Sequence, residues 1–78
     1  MHRALSTAQE IGRRVREARD ALGLRQDELA LAAGVSTRVV HQIESGKPTS
    51  RLDSVERVLA ALGLKLEVVG RLPTTGGS

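Results

Sequence analysis

Four polar side chains in one short segment can form hydrogen bonds with the edges of nucleic-acid bases. An Arg guanidinium can donate two hydrogen bonds to guanine, a Gln amide can pair with adenine, and Thr and His offer further donors and acceptors. Helical spacing predicts that these side chains lie on the face opposite Val40 and Ile43. The alternative is a polar face that only keeps the domain in solution. The candidate base-reading residues are Thr37, Arg38, His41 and Gln42.

A second set of residues flanks this segment and suits contacts with phosphate oxygens. Gln26 starts a predicted helix, and the free N–H groups of a helix N-terminus attract anions. Arg and Lys side chains supply the positive charge that pairs with phosphate. For Thr49 an ordinary polar turn with a helix cap is an equally good interpretation. The candidate phosphate-binding residues are Arg25, Gln26, Ser36, Lys47, Thr49, Ser50 and Arg51.

The composition excludes several classes of function. Lys and Arg number 12 against 9 Asp and Glu, and ten of the twelve basic residues are Arg, which favours a nucleic-acid partner. The chain has no Cys, and His2 and His41 are far apart in sequence, so we expect no metal site, no cofactor and no catalytic centre. It also lacks aromatic residues on which an unpaired base could stack, and this favours double-stranded DNA over RNA or single strands.

Length and hydropathy predict one small cytoplasmic domain. No apolar run approaches the roughly 20 residues of a membrane span, and the segment MHRALSTAQE lacks the apolar core of a signal peptide. A chain of 78 residues without Phe, Tyr or Trp must build its core from Leu, Val, Ala and Ile. Because such a monomer is marginally stable, we expect self-association.

Apolar spacing predicts that the first helix runs from Ala8 to Leu22, with Ser6 or Thr7 as its cap. Its predicted inner face consists of Ile11, Val15, Ala18 and Leu22. On its outer face, three pairs of opposite charge lie four residues apart, a spacing that favours weak surface ion pairs. The pairs are Glu10 with Arg14, Arg13 with Glu17, and Arg16 with Asp20.

Three shorter helices follow. The second runs from Gln26 to Ala33, and the third from Thr37 to Ser45 after the cap Ser36. The fourth is predicted to begin at a cap formed by Ser50, and Gly residues end the helices. Val39 is ambiguous, since it could pack on the preceding helix or contact a thymine methyl group. The predicted inner faces are Leu29, Ala30 and Ala33; Val40 and Ile43; and Leu52, Val55, Leu59 and Leu62.

The pattern changes after Gly63 to the two-residue repeat of a strand. Leu64, Leu66 and Val68 alternate with their neighbours, and no second strand exists in the sequence to pair with them. We therefore expect these three residues to pair between the subunits of a homodimer; the alternative is an edge hairpin folded on its own subunit. The predicted organisation is an N-terminal arm (1–7), a helical domain (8–63), a dimerisation strand (64–70) and a flexible tail (71–78).

Small Ala30, the turn residue Gly34 and the branched Val40 and Ile43 have the spacing of a helix-turn-helix. The segment QDELALAAGVSTRVVHQIESGK resembles the Cro/C1 (Xre) family, which implies a mainly α, four-helix lambda-repressor-like DNA-binding domain. The resemblance places the third helix in the major groove, with base-reading residues at the positions given above. It also implies a structural ion pair between Arg19 and Glu44. Arg25 departs from the Thr or Ser that usually caps the second helix in this family.

The segment TSRLDSVERVLAALGLKLEVV, a helix ending on Leu-Gly-Leu and running into a strand, resembles the HipB-type antitoxins. This resemblance implies a dimeric repressor that binds palindromic operator DNA, controls its own operon and neutralises a HipA-type Ser/Thr kinase toxin. Two alternatives remain. One is an Xre-family transcription regulator without a toxin, and the other is a protein-interaction module that has lost DNA binding.

Overall fold

The computed structural model describes residues 5–48 and 51–70 and contains four helices in that part of the chain. They are α1 (Thr7–Ala21), α2 (Gln26–Ala33), α3 (Thr37–Glu44) and α4 (Leu52–Ala61). The predicted mainly α, four-helix fold is confirmed. None of the four described helices has the length and apolar character of a membrane span.

Polar caps set where the helices begin. The Ser6 hydroxyl accepts a hydrogen bond from the backbone N–H of Gln9 at 3.1 Å, and the Gln9 side chain accepts one from the Ser6 N–H at 2.9 Å. At α3, the Ser36 hydroxyl accepts from the N–H of Val39 at 3.2 Å, as expected of a cap. The predicted cap of α4 is wrong. Arg51 occupies that position without a side-chain cap bond, and Ser50 itself lies outside the described residues.

The turn between α2 and α3 depends on Gly34. This residue has a φ of +73°, in the left-handed region that glycine adopts without a steric penalty. The next N–H, that of Val35, donates to the carbonyl of Ala30 at 3.0 Å and closes the end of α2. Because only Val35 separates Gly34 from Ser36, the cap of α3, the turn fixes the angle between the two helices.

Each helix contributes one fully buried side chain to a single apolar core. These are Val15, Leu29, Val40 and Val58. The predicted inner faces of α2 and α3 are confirmed, and in α4 the predicted residues Val55, Leu59 and Leu62 are buried. Val39 packs, partly buried, against this core.

Two predicted core residues are in fact exposed. Leu22 has 57% of its surface accessible and Leu52 has 63%. Both lie at helix ends, Leu22 after the last residue of α1 and Leu52 at the first residue of α4. Val58 was not predicted, although it continues the three- and four-residue spacing of Val55 and Leu62.

Helices α1 and α3 cross very closely at Gly12. A Cβ atom added at this buried glycine would collide with the backbone carbonyl oxygens of Ile43 and Glu44. A glycine inside a helix normally costs stability relative to alanine, by about 1 kcal/mol. Here the missing side chain lets the backbone of α1 lie directly against the C-terminal end of α3.

Residues 64–70 form neither a helix nor a strand within the described single chain. Leu66 is partly buried against the core, whereas Val68 and Val69 are 101% and 82% exposed. Pairing of this segment between two subunits therefore stays a prediction. The predicted tail, residues 71–78, and most of the predicted N-terminal arm lie outside the described residues.

Candidate nucleic-acid interface

The outer face of α3 carries the four candidate base-reading residues. Thr37, Arg38 and His41 are exposed, and Gln42 is partly buried. They lie away from Val40 and Ile43, which pack into the core, so the polar and apolar sides of α3 are separated as predicted. Arg38 forms no ion pair with any of the described residues. Its guanidinium therefore retains all of its donors for a ligand.

The inner side of α3 is held by a buried carboxylate. Glu44 accepts hydrogen bonds from Nε of Arg19 at 2.6 Å, from Nη2 of Arg19 at 3.1 Å and from Nε2 of Gln26 at 3.1 Å. The side chains of Glu44 and Arg19 are only 6% and 12% exposed. Arg19 also donates from Nη1 to the carbonyl of Leu24 at 2.7 Å. One charge cluster thus connects α1, the turn after it, α2 and the end of α3.

Both members of this pair are charged. Burial raises the pKa of Glu44, but the hydrogen bonds from Arg19 and Gln26, together with the positive charge of Arg19, outweigh burial and hold that pKa below its usual range. The hydrogen bond with Glu44 raises the pKa of Arg19 in turn. Because the positive charge of Arg19 compensates that of Glu44, this carboxylate repels an anion that approaches α3 less than an unpaired carboxylate would.

Four of the candidate phosphate-binding residues already have internal partners, and Gln26 and Ser36 keep donors beside them. The Nε2 atom of Gln26 donates one of its two hydrogens to Glu44, so that its second hydrogen and the backbone N–H groups at the start of α2 remain for an anion. The hydroxyl oxygen of Ser36 accepts the cap bond from Val39, but its O–H remains a donor.

Arg25 forms ion pairs with two neighbouring carboxylates. Its Nε donates to Oδ1 of Asp27 at 3.0 Å, and its Nη2 lies 3.8 Å from a carboxylate oxygen of Glu28. Glu28 also accepts from the backbone N–H of Arg25 at 2.8 Å, which supplies part of the capping that a Ser or Thr would give. The hydrogen bond from Arg25 lowers the pKa of Asp27. A phosphate would have to compete with two carboxylates for this guanidinium.

The turn between α3 and α4 contains the remaining candidates. Lys47 is exposed and forms no ion pair with the described residues, whereas Arg51 donates to Asp53 at 3.3 Å. Thr49 and Ser50 lie outside the described residues. Lys47 is therefore the candidate on this turn whose charge is available.

Of the three ion pairs predicted on the outer face of α1, one forms. Arg13 donates to Glu17 at 2.8 Å. Asp20 lies 3.4 Å from Arg19 instead of pairing with Arg16, because the buried Arg19 guanidinium lies within its reach. Glu10 and Arg14 do not pair in the described structure.

Sequence reasoning gave no role to Gly12 or to an unpaired Arg16. Within residues 5–48 and 51–70, no three His, Asp or Glu side chains cluster in a way that could hold a metal ion.

The family profile described as Helix-turn-helix matches residues 15–69. The chain belongs to the helix-turn-helix family of the Xre/Cro-C1 type. An HTH-type transcriptional regulator of Sinorhizobium fredii, y4mF, is 41% identical to it over 69 residues, which make up 88% of this chain and 91% of the relative. The protein is therefore a helix-turn-helix transcriptional regulator, with α2 and α3 as the two helices of the motif.

Solved structures with the same fold include a chain from a toxin-antitoxin module and a chain from a HipA-HipB complex. A chain from a toxin-antitoxin module of Streptococcus pneumoniae is 40% identical, with a TM-score of 0.70 over 81% of this chain and 69% of that one. A chain in the structure of a HipA-HipB-O2-O3 complex has a TM-score of 0.74 at 17% identity, covering 88% of this chain and 97% of that one. A structure titled MDT Protein gives the same values. At 17% identity, the last two structures show only that this helix-turn-helix protein shares their fold.

Proposed function

We propose that this helix-turn-helix protein is a repressor that recognises a specific double-stranded DNA sequence with α3. The observation that carries the proposal is the division of α3 into two sides. Glu44 and Ile43 fix one side to the rest of the domain, while Arg38 and His41 on the other side are exposed. A rigidly held helix with free bidentate donors is what base recognition in the major groove requires.

Selection of bound fragments from a pool of random duplexes tests this proposal. The selected duplex and a scrambled duplex of equal length are then titrated at the same salt concentration. We expect the selected site to bind at least about 10³-fold more tightly. Equal affinity for the two duplexes, or no binding to either, would contradict a sequence-specific repressor.

The proposed functional unit is a homodimer joined by residues 64–70. Val68 and Val69 are exposed apolar side chains next to the partly buried Leu66, and the described chain contains no strand that could pair with this segment. Pairing of Leu64, Leu66 and Val68 with a second copy would cover this apolar surface. Val68 contributes nothing to burial within one subunit, so its replacement reports on the dimer rather than on the monomer fold.

Sedimentation of Val68→Asp, with Lys65→Asp as the matched control at a neighbouring exposed position, tests the dimer. We expect wild type and Lys65→Asp to sediment as dimers and Val68→Asp to shift to folded monomer. A wild-type protein that is monomeric at micromolar concentration would refute the proposed assembly.

A two-fold dimer also predicts the form of the operator. Its two α3 helices would enter successive major grooves on one face of the DNA, about 34 Å apart, at the half-sites of a palindrome. Insertion of five base pairs between half-sites turns one of them about half a turn away, and affinity should fall toward that of one half-site. Insertion of ten base pairs returns both half-sites to the same face of the DNA. Unchanged binding with five inserted pairs would mean that the subunits bind independently.

We further propose that the protein is the antitoxin of a HipA/HipB-type pair, which neutralises a Ser/Thr kinase and represses its own operon. The support is the 40% identity to the pneumococcal toxin-antitoxin chain and the HipB-like sequence pattern at the end of α4. Co-expression with the product of the adjacent gene tests this. We expect a stable complex in which kinase activity is suppressed, and which binds the promoter of that operon.

The second candidate is a regulator that acts without a toxin; the 41% identical relative y4mF is described only as an uncharacterised HTH-type transcriptional regulator. An adjacent gene product that neither binds the protein nor has kinase activity would decide for this alternative. Specific DNA binding is expected with or without a toxin. A negative toxin assay would therefore leave the proposed DNA binding intact.

A further inference from the structure

Arg16 lies at a polar notch beside the recognition helix. The notch has a volume of about 400 Å³ and is open to solvent at the junction of α1, the start of α2 and α3. At this notch a side chain of α1 lies next to His41, a candidate base-reading residue, and to Gln26, the first residue of α2. The notch is lined by Arg16, Arg19, Gln26, His41, Glu44 and Ser45.

The charges around the notch leave Arg16 uncompensated. Glu44, the carboxylate in the notch, is already hydrogen-bonded by Arg19 and Gln26. Asp20, the acid four residues after Arg16, contacts Arg19 at 3.4 Å. No described residue forms an ion pair with Arg16, although its positive charge contributes to the lowered pKa of Glu44. The Arg16 guanidinium is therefore a free cation at the rim of a site whose other charges are paired.

Two nearby arginines differ in this respect, and Arg14, which also has no ion-pair partner among the described residues, does not line the notch. Arg13 is committed to Glu17 at 2.8 Å, and Arg25 is committed to Asp27 at 3.0 Å. An arginine that binds phosphate must give up its internal partners or have none. Arg16 has none among the described residues, and it lines the same notch as His41 on the outer face of α3.

We propose that Arg16 donates to a backbone phosphate of the DNA at this notch, so that α1 adds a phosphate contact beside the base-reading helix. This inference rests on the proposed DNA binding by α3. The phosphate concerned would flank the base pairs that His41 approaches, and Gln26, the first residue of α2, lines the same notch. The contact carries no sequence information; it holds α3 in its register on the duplex.

Titration of Arg16→Ala across a salt series tests the proposal, with Arg13→Ala as a control that removes the same charge from the same helix. The selected and the scrambled duplex are both used. We expect Arg16→Ala to lower the slope of log affinity against log salt by about one. The ratio of wild-type to variant affinity should then grow about 3.5-fold when salt falls from about 200 to about 50 mM, equally on both duplexes. Arg13→Ala should lower the slope by much less.

Arg16→Lys separates a phosphate contact from a structural role, because a lysine keeps the point charge but not the planar fork. We expect Arg16→Lys to keep most of the wild-type slope, and the thermal midpoint of Arg16→Ala to equal that of wild type. Equal slopes for Arg16→Ala and Arg13→Ala would overturn this inference and leave the proposed function intact. A loss restricted to the selected duplex, with a lowered thermal midpoint, would also overturn it. No duplex binding by wild type would refute both.

Discussion

Arginine side chains on the two sides of α3 differ in whether they have partners within the protein. On the inner side, Arg19 reaches Glu44, is 12% exposed and has its hydrogen bonds made within the protein. On the outer side, Arg38 is exposed and has no ion-pair partner among the described residues. The comparison shows that arginine content alone does not define a DNA-binding surface. What matters is which guanidinium groups the fold has left without partners.

The inner side also explains how the outer side is held. Gly12 lets α1 lie against the carbonyl groups at the end of α3, and the charge cluster around Glu44 links that end to α2. A recognition helix must be positioned to within a fraction of an ångström for bidentate contacts to form. Changes on the inner side should therefore cost stability, whereas changes on the outer side should cost DNA affinity only.

The largest effect is expected from Gly12→Val. The added side chain has no space against the carbonyl groups of Ile43 and Glu44, so α3 must move, at a cost of about 3 kcal/mol in the free energy of unfolding. Arg14→Val, at an exposed site on the same helix, is the control and should change stability by about 0.5 kcal/mol or less. Urea denaturation measures both. Equal stability of the two variants would mean that α1 and α3 are less closely packed than described.

Next in size is Glu44→Ala, which leaves the Arg19 guanidinium nearly buried without its partner. We expect a loss of about 2 to 3 kcal/mol in the free energy of unfolding. The double variant Arg19→Met with Glu44→Leu should be more stable than Glu44→Ala, because it removes both buried charges. Denaturation of both variants and of each single variant completes a double-mutant cycle. Simple additivity would show that the two residues do not interact.

A smaller effect is expected from acid. The pKa of Glu44 lies below its unfolded value, so its stabilising contribution is complete above the unfolded pKa and is lost as pH falls through the folded pKa. Wild type should therefore lose more stability between about pH 5 and about pH 3 than the Arg19→Met, Glu44→Leu double variant does. Denaturation at a series of pH values measures this difference. Parallel profiles for the two proteins would contradict it.

The smallest effect is expected on the outer side, from Lys47→Ala. This exposed residue makes no ion pair within the described chain, so stability should not change. Affinity should fall alike on specific and random duplexes, and the salt slope should decrease by about one. Titration across a salt series provides the measurement. A loss confined to the specific duplex would show that Lys47 contacts a base.

The four helices and most of the core could be predicted from the sequence, because apolar spacing and the Ser and Gly signals at helix ends are local. The exceptions have physical causes. Leu22 and Leu52 fit the apolar pattern but lie at helix ends, and more than half of the surface of each stays exposed. The close approach at Gly12 depends on how α1 crosses α3, and a glycine inside a helical pattern does not by itself reveal such a contact.

The candidate site was only partly predictable. The outer residues of α3 follow from helical spacing, but the partners of each arginine depend on competition in three dimensions. Asp20 contacts Arg19 rather than Arg16, and Arg25 turns to Asp27. Sequence spacing gave Arg16 a partner and left Arg25 free, and the structure reverses both assignments.

We propose above all that Arg38 on α3 reads bases and does not contribute to the stability of the domain. The most direct test is the affinity of Arg38→Ala for the selected duplex and for a random duplex, at one salt concentration. We predict a loss of about 1 to 3 kcal/mol on the selected duplex, a much smaller loss on the random one, and an unchanged thermal midpoint. Equal losses on both duplexes would contradict the claim, because Arg38 would then contact phosphate rather than a base.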